Sequence, residues 1–260
     1  MAAVLVLVSD PFGSNILRLG LLLAAPLVVA TASEHWRLVA PVTAVLVLWQ
    51  LQPSYYDLRE ARPPSFVALN RALIELEVKR IEVVPLRDHG EAAFVAPVVP
   101  LARGWSRQID SERNPLFYDG ALSAEDYQQW LRDNGVDAVA LGPSARADGG
   151  GRQERALLLI GSVGGLERAW SDDTWTVWRF TDNEPIAGAP VQVLDTDRTT
   201  VRLRSDRAAD VELKVQWSRW LSVSGPACLE RRGGGTRIRF SGPGEAVVSS
   251  SLRLRPEGQC

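Results

Sequence analysis

Between Ile16 and Gln52 the chain reads as two apolar runs separated by the polar tripeptide Glu34-His35-Trp36. No charged residue occurs from Leu19 to Thr31 or from Leu38 to Leu51, and Arg18, Arg37 and Gln52 bound the runs. A membrane-crossing helix needs about 20 mostly apolar residues, with roughly 17–25 usable. The two runs approach that length once Arg18 and Arg37 snorkel at their ends. The alternative is a pair of helices buried in a globular core. Against it stands the lack of a polar face, since both runs are apolar all round. The stretch therefore predicts a membrane α-helical hairpin, with spans at about 16–32 and 37–52 and the lipid bilayer as partner.

Ala2 to Val8 is apolar but too short to span, and it lacks the basic flank of a secretory signal. With the turn Asp10-Pro11-Phe12-Gly13 after it, segment 1–52 reads as a remnant plus hairpin, the end of a longer polytopic protein. Residues 53–65 form a juxtamembrane linker. Tyr55 and Tyr56, with Trp49, sit where an aromatic belt is expected.

Segment 66–182 alternates helix and strand patterns. Apolar residues at helical spacing run from Phe66 to Arg80, and Ile81 to Val84 is a β-branched run closed by Pro85. Ser123-Ala-Glu-Asp126 is a capping-box-like start, with Gly135 as the stop. Val136–Leu141 is a buried-type strand, Arg152–Ile160 a helix, Leu166–Trp170 a strand, and Trp175–Phe180 an edge or hairpin strand. This order predicts a small α/β module with a parallel component. From 183 to 260 the texture changes to short period-2 runs between turn clusters such as Arg232-Gly-Gly-Gly235 and Gly242-Pro-Gly244. That pattern predicts an antiparallel β-sandwich-like domain.

A net charge of −2 and the absence of a dense Lys/Arg cluster argue against a nucleic-acid binder. Two histidines make a His-based metal site improbable, and no metal or cofactor is expected. Gly161-Ser-Val-Gly164-Gly165 follows a helix pattern where a dinucleotide loop opens one. Cys228 and Cys260 fit no zinc or redox motif; they either pair in an oxidising compartment or remain free thiols.

The densest polar-aromatic stretch is Arg87 to Tyr118, longer than a structureless loop in a compact domain. Its prolines at 97, 100 and 115 predict an extended excursion. Trp105, Arg107, Glu112, Arg113, Asn114 and Tyr118 are the candidate ligand contacts. An indole offers a stacking face for a sugar, and arginine forks grip phosphate or carboxylate. The alternative is that the aromatics pin the loop to the sheet. His89 and Glu91 are a weak acid-base pair, and no catalytic residue is identifiable.

Several stretches resemble the C-terminal end of actinobacterial polytopic membrane proteins of the GT-C glycosyltransferase-like kind. They include Arg18-Leu-Gly20, Arg80-Ile-Glu-Val-Val-Pro85 and Ala92-Ala-Phe-Val-Ala-Pro97. Further ones are Leu101-Ala-Arg-Gly-Trp105, Arg113-Asn-Pro-Leu-Phe-Tyr118 and Asp173-x-Trp175-x-Val177. The resemblance implies a multi-pass protein of the cell membrane with its C-terminal modules extracytoplasmic. It further implies the non-catalytic part of an envelope glycosyltransferase-like protein. Such a part works near a lipid-linked sugar or envelope glycan, and beside an upstream membrane polypeptide. The alternative is a membrane-anchored, non-enzymatic module that binds glycan or protein.

Overall fold

In the computed structural model the described residues are 23, 27, 29–30, 35–37, 39–48, 66–104, 106–120, 122–143, 148–197, 199–250 and 257–260. The chain divides into two units, Met1–Pro63 and Pro64–Cys260. In the first, the longest unbroken described helical stretch is 39–48. Among the described residues no helix is long and apolar enough to cross a membrane. The expected hairpin followed by a sandwich is corrected accordingly: the described chain consists of short helices and three mostly antiparallel sheets. Most of the run 16–32, and all of 53–65 with Trp49, Tyr55 and Tyr56, lies outside the described residues.

The second unit opens with α1 (Val67–Glu75). The helix ends five residues before Arg80 because Glu77 turns left-handed (φ 54°) and the Val78 amide bonds back to Leu73 O. Strand β1 (Ile81–Val83) follows. The stretch expected to be extended instead contains three short helical segments. It contains α2 (Gly90–Phe94), α3 (Arg107–Arg113) and a 3₁₀ turn at Pro115–Phe117, where proline occupies the first turn that needs no N–H. Helix α4 (Ala124–Asp133) starts at Ser123, whose hydroxyl accepts the Asp126 amide. It stops at Gly135, which takes the φ of 60° that a Cβ disfavours. Then come β2 (Ala138–Leu141), a 3₁₀ turn at Gly149–Gly151, α5 (Arg152–Ile160), β3 (Leu166–Ser171) and β4 (Thr176–Phe180).

These strands form one sheet in the order β1-β2-β4-β3. Only β1 and β2 are parallel; β2–β4 and β3–β4 are antiparallel. Of the two alternatives for β4, the hairpin holds, since it pairs antiparallel with β3 through a tight turn, and the edge does not, since β2 flanks it on the other side. The Asp172 carboxylate, accepting the Thr174 and Trp175 amides, folds β3 tightly back onto it. Side-chain alternation splits the sheet into two faces. Ile81, Val83, Ala138, Ala140 and Val177 pack with Leu69 and Leu73 of α1. Val84, Val139, Leu141 and Phe180 pack with Tyr127, Trp130 and Leu131 of α4 and Leu158 of α5.

The remainder is antiparallel. Strands β7 (Ala209–Gln216), β10 (Gly235–Phe240) and β9 (Ala227–Arg232) make one sheet. Strands β5 (Gln192–Thr196), β6 (Thr200–Ser205), β11 (Gly244–Ser250) and β8 (Leu221–Ser224) make the other. Leu203, Ala246 and Val248 of one and Leu213, Ile238 and Phe240 of the other share a single buried core. Burial of such side chains contributes about 1.5–3 kcal/mol each. Cys228 on β9 and Cys260 are disulfide-bonded. The same C-terminal segment bonds through its backbone to both sheets, Val223 N to Glu257 O and Leu229 N to Gly258 O.

Candidate functional site

Two neighbouring arrangements of charge stand out in the second unit, one sealed and one open. The sealed one is centred on Arg103. Backbone pairing of Leu101 and Ala102 against Ile81 delivers Arg103 beside β1, and strand alternation turns Glu82 toward the α4/α5 face. Arg103 Nε donates to Glu82 Oε1 at 2.8 Å, and Nη2 reaches both Glu82 Oε1 (2.7 Å) and Glu154 Oε2 (2.5 Å). Asp110 Oδ2 lies 3.7 Å from Nη1. The guanidinium also covers the Phe117 ring, 3.6 Å from its centroid, a cation–π contact inside a desolvated pocket. Around this core Tyr127 donates to Glu154 (2.7 Å), Tyr118 to Asp110 (2.6 Å) and Asn114 Nδ2 to Asp110 (2.8 Å). The Trp130 indole N–H donates to Asn114 Oδ1 at 2.9 Å.

None of Glu82, Arg103, Asp110, Asn114 or Glu154 is more than 6% exposed. Three buried carboxyl groups thus face one guanidinium. Desolvation pushes the Glu82 carboxyl well above its ordinary range, outweighing the pull of Arg103. Glu154 moves the same way for the same reason, restrained by Arg103 and by the Tyr127 hydrogen bond. Although burial works against its charge, Arg103 is held above its ordinary value by Glu82, Glu154 and Asp110. Burial and the bond to Asp110 likewise raise the Tyr118 hydroxyl. Gly150 lets the chain pass under Tyr118: a Cβ there would lie 2.8 Å from the hydroxyl oxygen.

The open arrangement is a cleft of about 430 Å³ between the α/β layer and the two β-sheets of the same unit. Asp110 of α3 and Asn114, the residue that caps its C-terminal end, line it, so it begins where the sealed network ends. Arg80 lines it as well. Its Nη1 donates to Asn134 O (2.7 Å) and Lys214 O (2.5 Å), while its buried Nε has no acceptor. Asp137 accepts the Arg80 backbone N–H (3.0 Å), so its carboxylate is not spent on the side chain. Among the described residues no carboxylate ion-pairs with the Arg80 guanidinium. Desolvation lowers its pKa to about 10 against the attraction of Asp137. Lys214 also lines the cleft, but its ammonium is taken by Glu184 Oε2 (2.6 Å) and Arg132 O (2.5 Å). A second cavity of about 530 Å³ adjoins, sharing Arg113, Asn134, Lys214, Val215 and Gln216.

The candidate contacts read from the sequence divide between these places. Asn114 and Tyr118 belong to the sealed network through Asp110. Arg113 lines both cavities and Glu112 the second. Arg107 lies at the start of α3 near Gly149, lining neither cavity. Trp105 lies outside the described residues. His89 Nδ1 stands 3.3 Å from Glu91 Oε1, which raises its pKa. Composition and spacing do not single out Glu154, Tyr127 or Arg80 as site residues. For Glu82 a signal was present: it is the one charged residue in the apolar run Ile81–Val84. Among the described residues no group of His, Cys, Asp and Glu has the arrangement of a metal site. Comparison with protein-family models, curated proteins and solved structures finds no match for this chain.

Proposed function

We propose that the unit from Pro64 to Cys260 is an extracytoplasmic binding module that holds an envelope saccharide, free or lipid-linked, in the cleft between its α/β layer and its β-sheets. The observation that carries this reading is the cleft itself. Its volume falls in the range of about 300–1,000 Å³ typical of small-molecule sites. It combines apolar walls from Leu101, Ile109 and Leu221 with neutral hydrogen-bonding groups from Asn134, Gln216 and Ser218. That mixture suits a sugar, whose ring faces are apolar and whose edges carry hydroxyls. The Cys228–Cys260 bond supports the compartment, because disulfides persist in oxidising spaces and are rare in reducing ones.

Titration of the full-length chain with envelope-type oligosaccharides, followed by tryptophan fluorescence, tests the binding reading. A saturable change is expected, lost when Gln216→Trp fills the cleft and kept in Arg204→Ala on a distant strand. Absence of saturable binding to any saccharide would reject it. Labelling of a Ser224→Cys variant in intact cells tests the compartment; Ser224 is exposed on β8. Modification only after lysis would overturn the extracytoplasmic assignment.

A further inference from the structure

We infer that the saccharide bound in the cleft is acidic, carrying a carboxylate or phosphate group, and that Arg80 is the residue that grips this group. The inference rests on the cleft reading above and names its ligand class. Its basis is the unequal treatment of the cations that surround the cleft. Lys214 has a carboxylate partner, Glu184; Arg113 also lines the cleft without an ion pair among the described residues but is exposed to solvent, and Arg103, outside the lining, has Glu82 and Glu154. Arg80 has neutral carbonyls on one nitrogen, no acceptor on Nε, and no ion pair among the described residues.

A buried donor left without an acceptor is destabilising, because its hydration is lost and not replaced. An arginine offers its donors as a planar fork that matches a carboxylate or phosphate in two-pronged fashion. With Nη1 fixed by Asn134 O and Lys214 O, the guanidinium is held in one orientation before any ligand arrives. An oxyanion bound against the guanidinium from the cleft supplies the missing charge. The depressed Arg80 pKa of about 10 agrees with this geometry: burial disfavours the cation, and a bound anion would restore it. Asn134, Gln216 and Ser218 remain for the hydroxyls of the same ligand.

The test uses the full-length chain and three matched probes: a uronate-bearing oligosaccharide, its carboxyl-reduced neutral form, and a phosphorylated neutral form. Either acidic probe should bind roughly tenfold or more tightly than the neutral one, as a charge-assisted hydrogen bond is worth about 1.5–3 kcal/mol. Whichever acidic probe binds identifies the group. Arg80→Met should abolish the preference and Arg80→Lys should retain part of it. Equal binding of all three overturns the acidic ligand and leaves the cleft reading standing. A preference that survives in folded Arg80→Met overturns the role of Arg80. Binding of none overturns the reading and the inference together. Should Arg80→Met fail to fold, wild-type protein is treated with an arginine-directed dicarbonyl and mapped by mass spectrometry. The acidic probe should protect Arg80, and modification at an unchanged rate overturns the assignment.

Discussion

Arg103 meets Asp110 of α3 and Arg80 lines the cleft that Asp110 also lines, yet the fold treats the two arginines in opposite ways. Each has one buried nitrogen without a hydrogen-bond acceptor, Nη1 of Arg103 and Nε of Arg80, but Arg103 is surrounded by three carboxyl groups and an aromatic face whereas Arg80 has two carbonyls. A buried cation with a surplus of anions is committed to holding structure. A half-buried cation without one keeps its recognition capacity for something else. Counting arginines says nothing about which is which. What separates them is the chemistry of the groups that each one already satisfies.

The comparison breaks most visibly at Arg103. Arg103→Met removes the partner of Glu82 and Glu154 at once, and should cost about 3–5 kcal/mol in denaturant unfolding, as for a broken buried ion pair. A loss near zero would mean that the carboxyl groups neutralise themselves and that Arg103 is dispensable.

Asn114→Ala comes next. It leaves the Trp130 indole N–H and an Asp110 oxygen without their bonds, with an expected loss of about 1–3 kcal/mol. If stability is unchanged, water replaces the amide and the network extends into the cleft.

The third prediction concerns pH. Because its folded pKa is raised, Glu82 holds its proton in the native state where the unfolded chain releases it. The native state then binds more protons, so this contribution is fully present below the ordinary glutamate range and is lost as pH rises above about 4.5. Glu82→Gln mimics the protonated form. Its stability should gain steadily on wild type between acidic and neutral pH, measured as paired urea midpoints. Parallel curves would show that Glu82 is ionised in the fold.

At Arg80 the effect on stability should be small. Arg80→Met forfeits bonds to two carbonyls but also removes a desolvated charge, and about 1 kcal/mol or less is expected. A loss as large as at Arg103 would erase the distinction between the two arginines. At the exposed Arg204–Glu245 pair, Arg204→Ala should leave the melting temperature unchanged, because solvent screens such pairs.

Much of the site was legible in part. Arg103, Asp110, Arg113, Asn114 and Tyr118 all fall in the stretch singled out for its aromatic and charged content. Their division into sealed and open groups was not legible. Glu154 lies 51 residues from Arg103 and Glu82 lies 21 residues away, on another helix and another strand. Local composition carries no information about such meetings. The prolines of the excursion suggest extension, whereas Pro115 opens a 3₁₀ turn. The apolar runs before Gln52 were likewise read from hydropathy as a hairpin. Among the described residues no helix fulfils that reading.

What the sequence by itself determined are the features closed within a few residues. The Ser123 cap and the Gly135 stop of α4 are of this kind, as are the Asp172 turn and the alternation of Val211, Leu213 and Val215 on β7. Each depends on backbone geometry and a nearest-neighbour hydrogen bond. Tertiary structure alone decided the sheet order β1-β2-β4-β3, the shared core of the last two sheets, and the fate of each buried charge. Desolvation is the reason. It depends on every group packed around a side chain, so the same residue type becomes a strut at Arg103 and an open hand at Arg80.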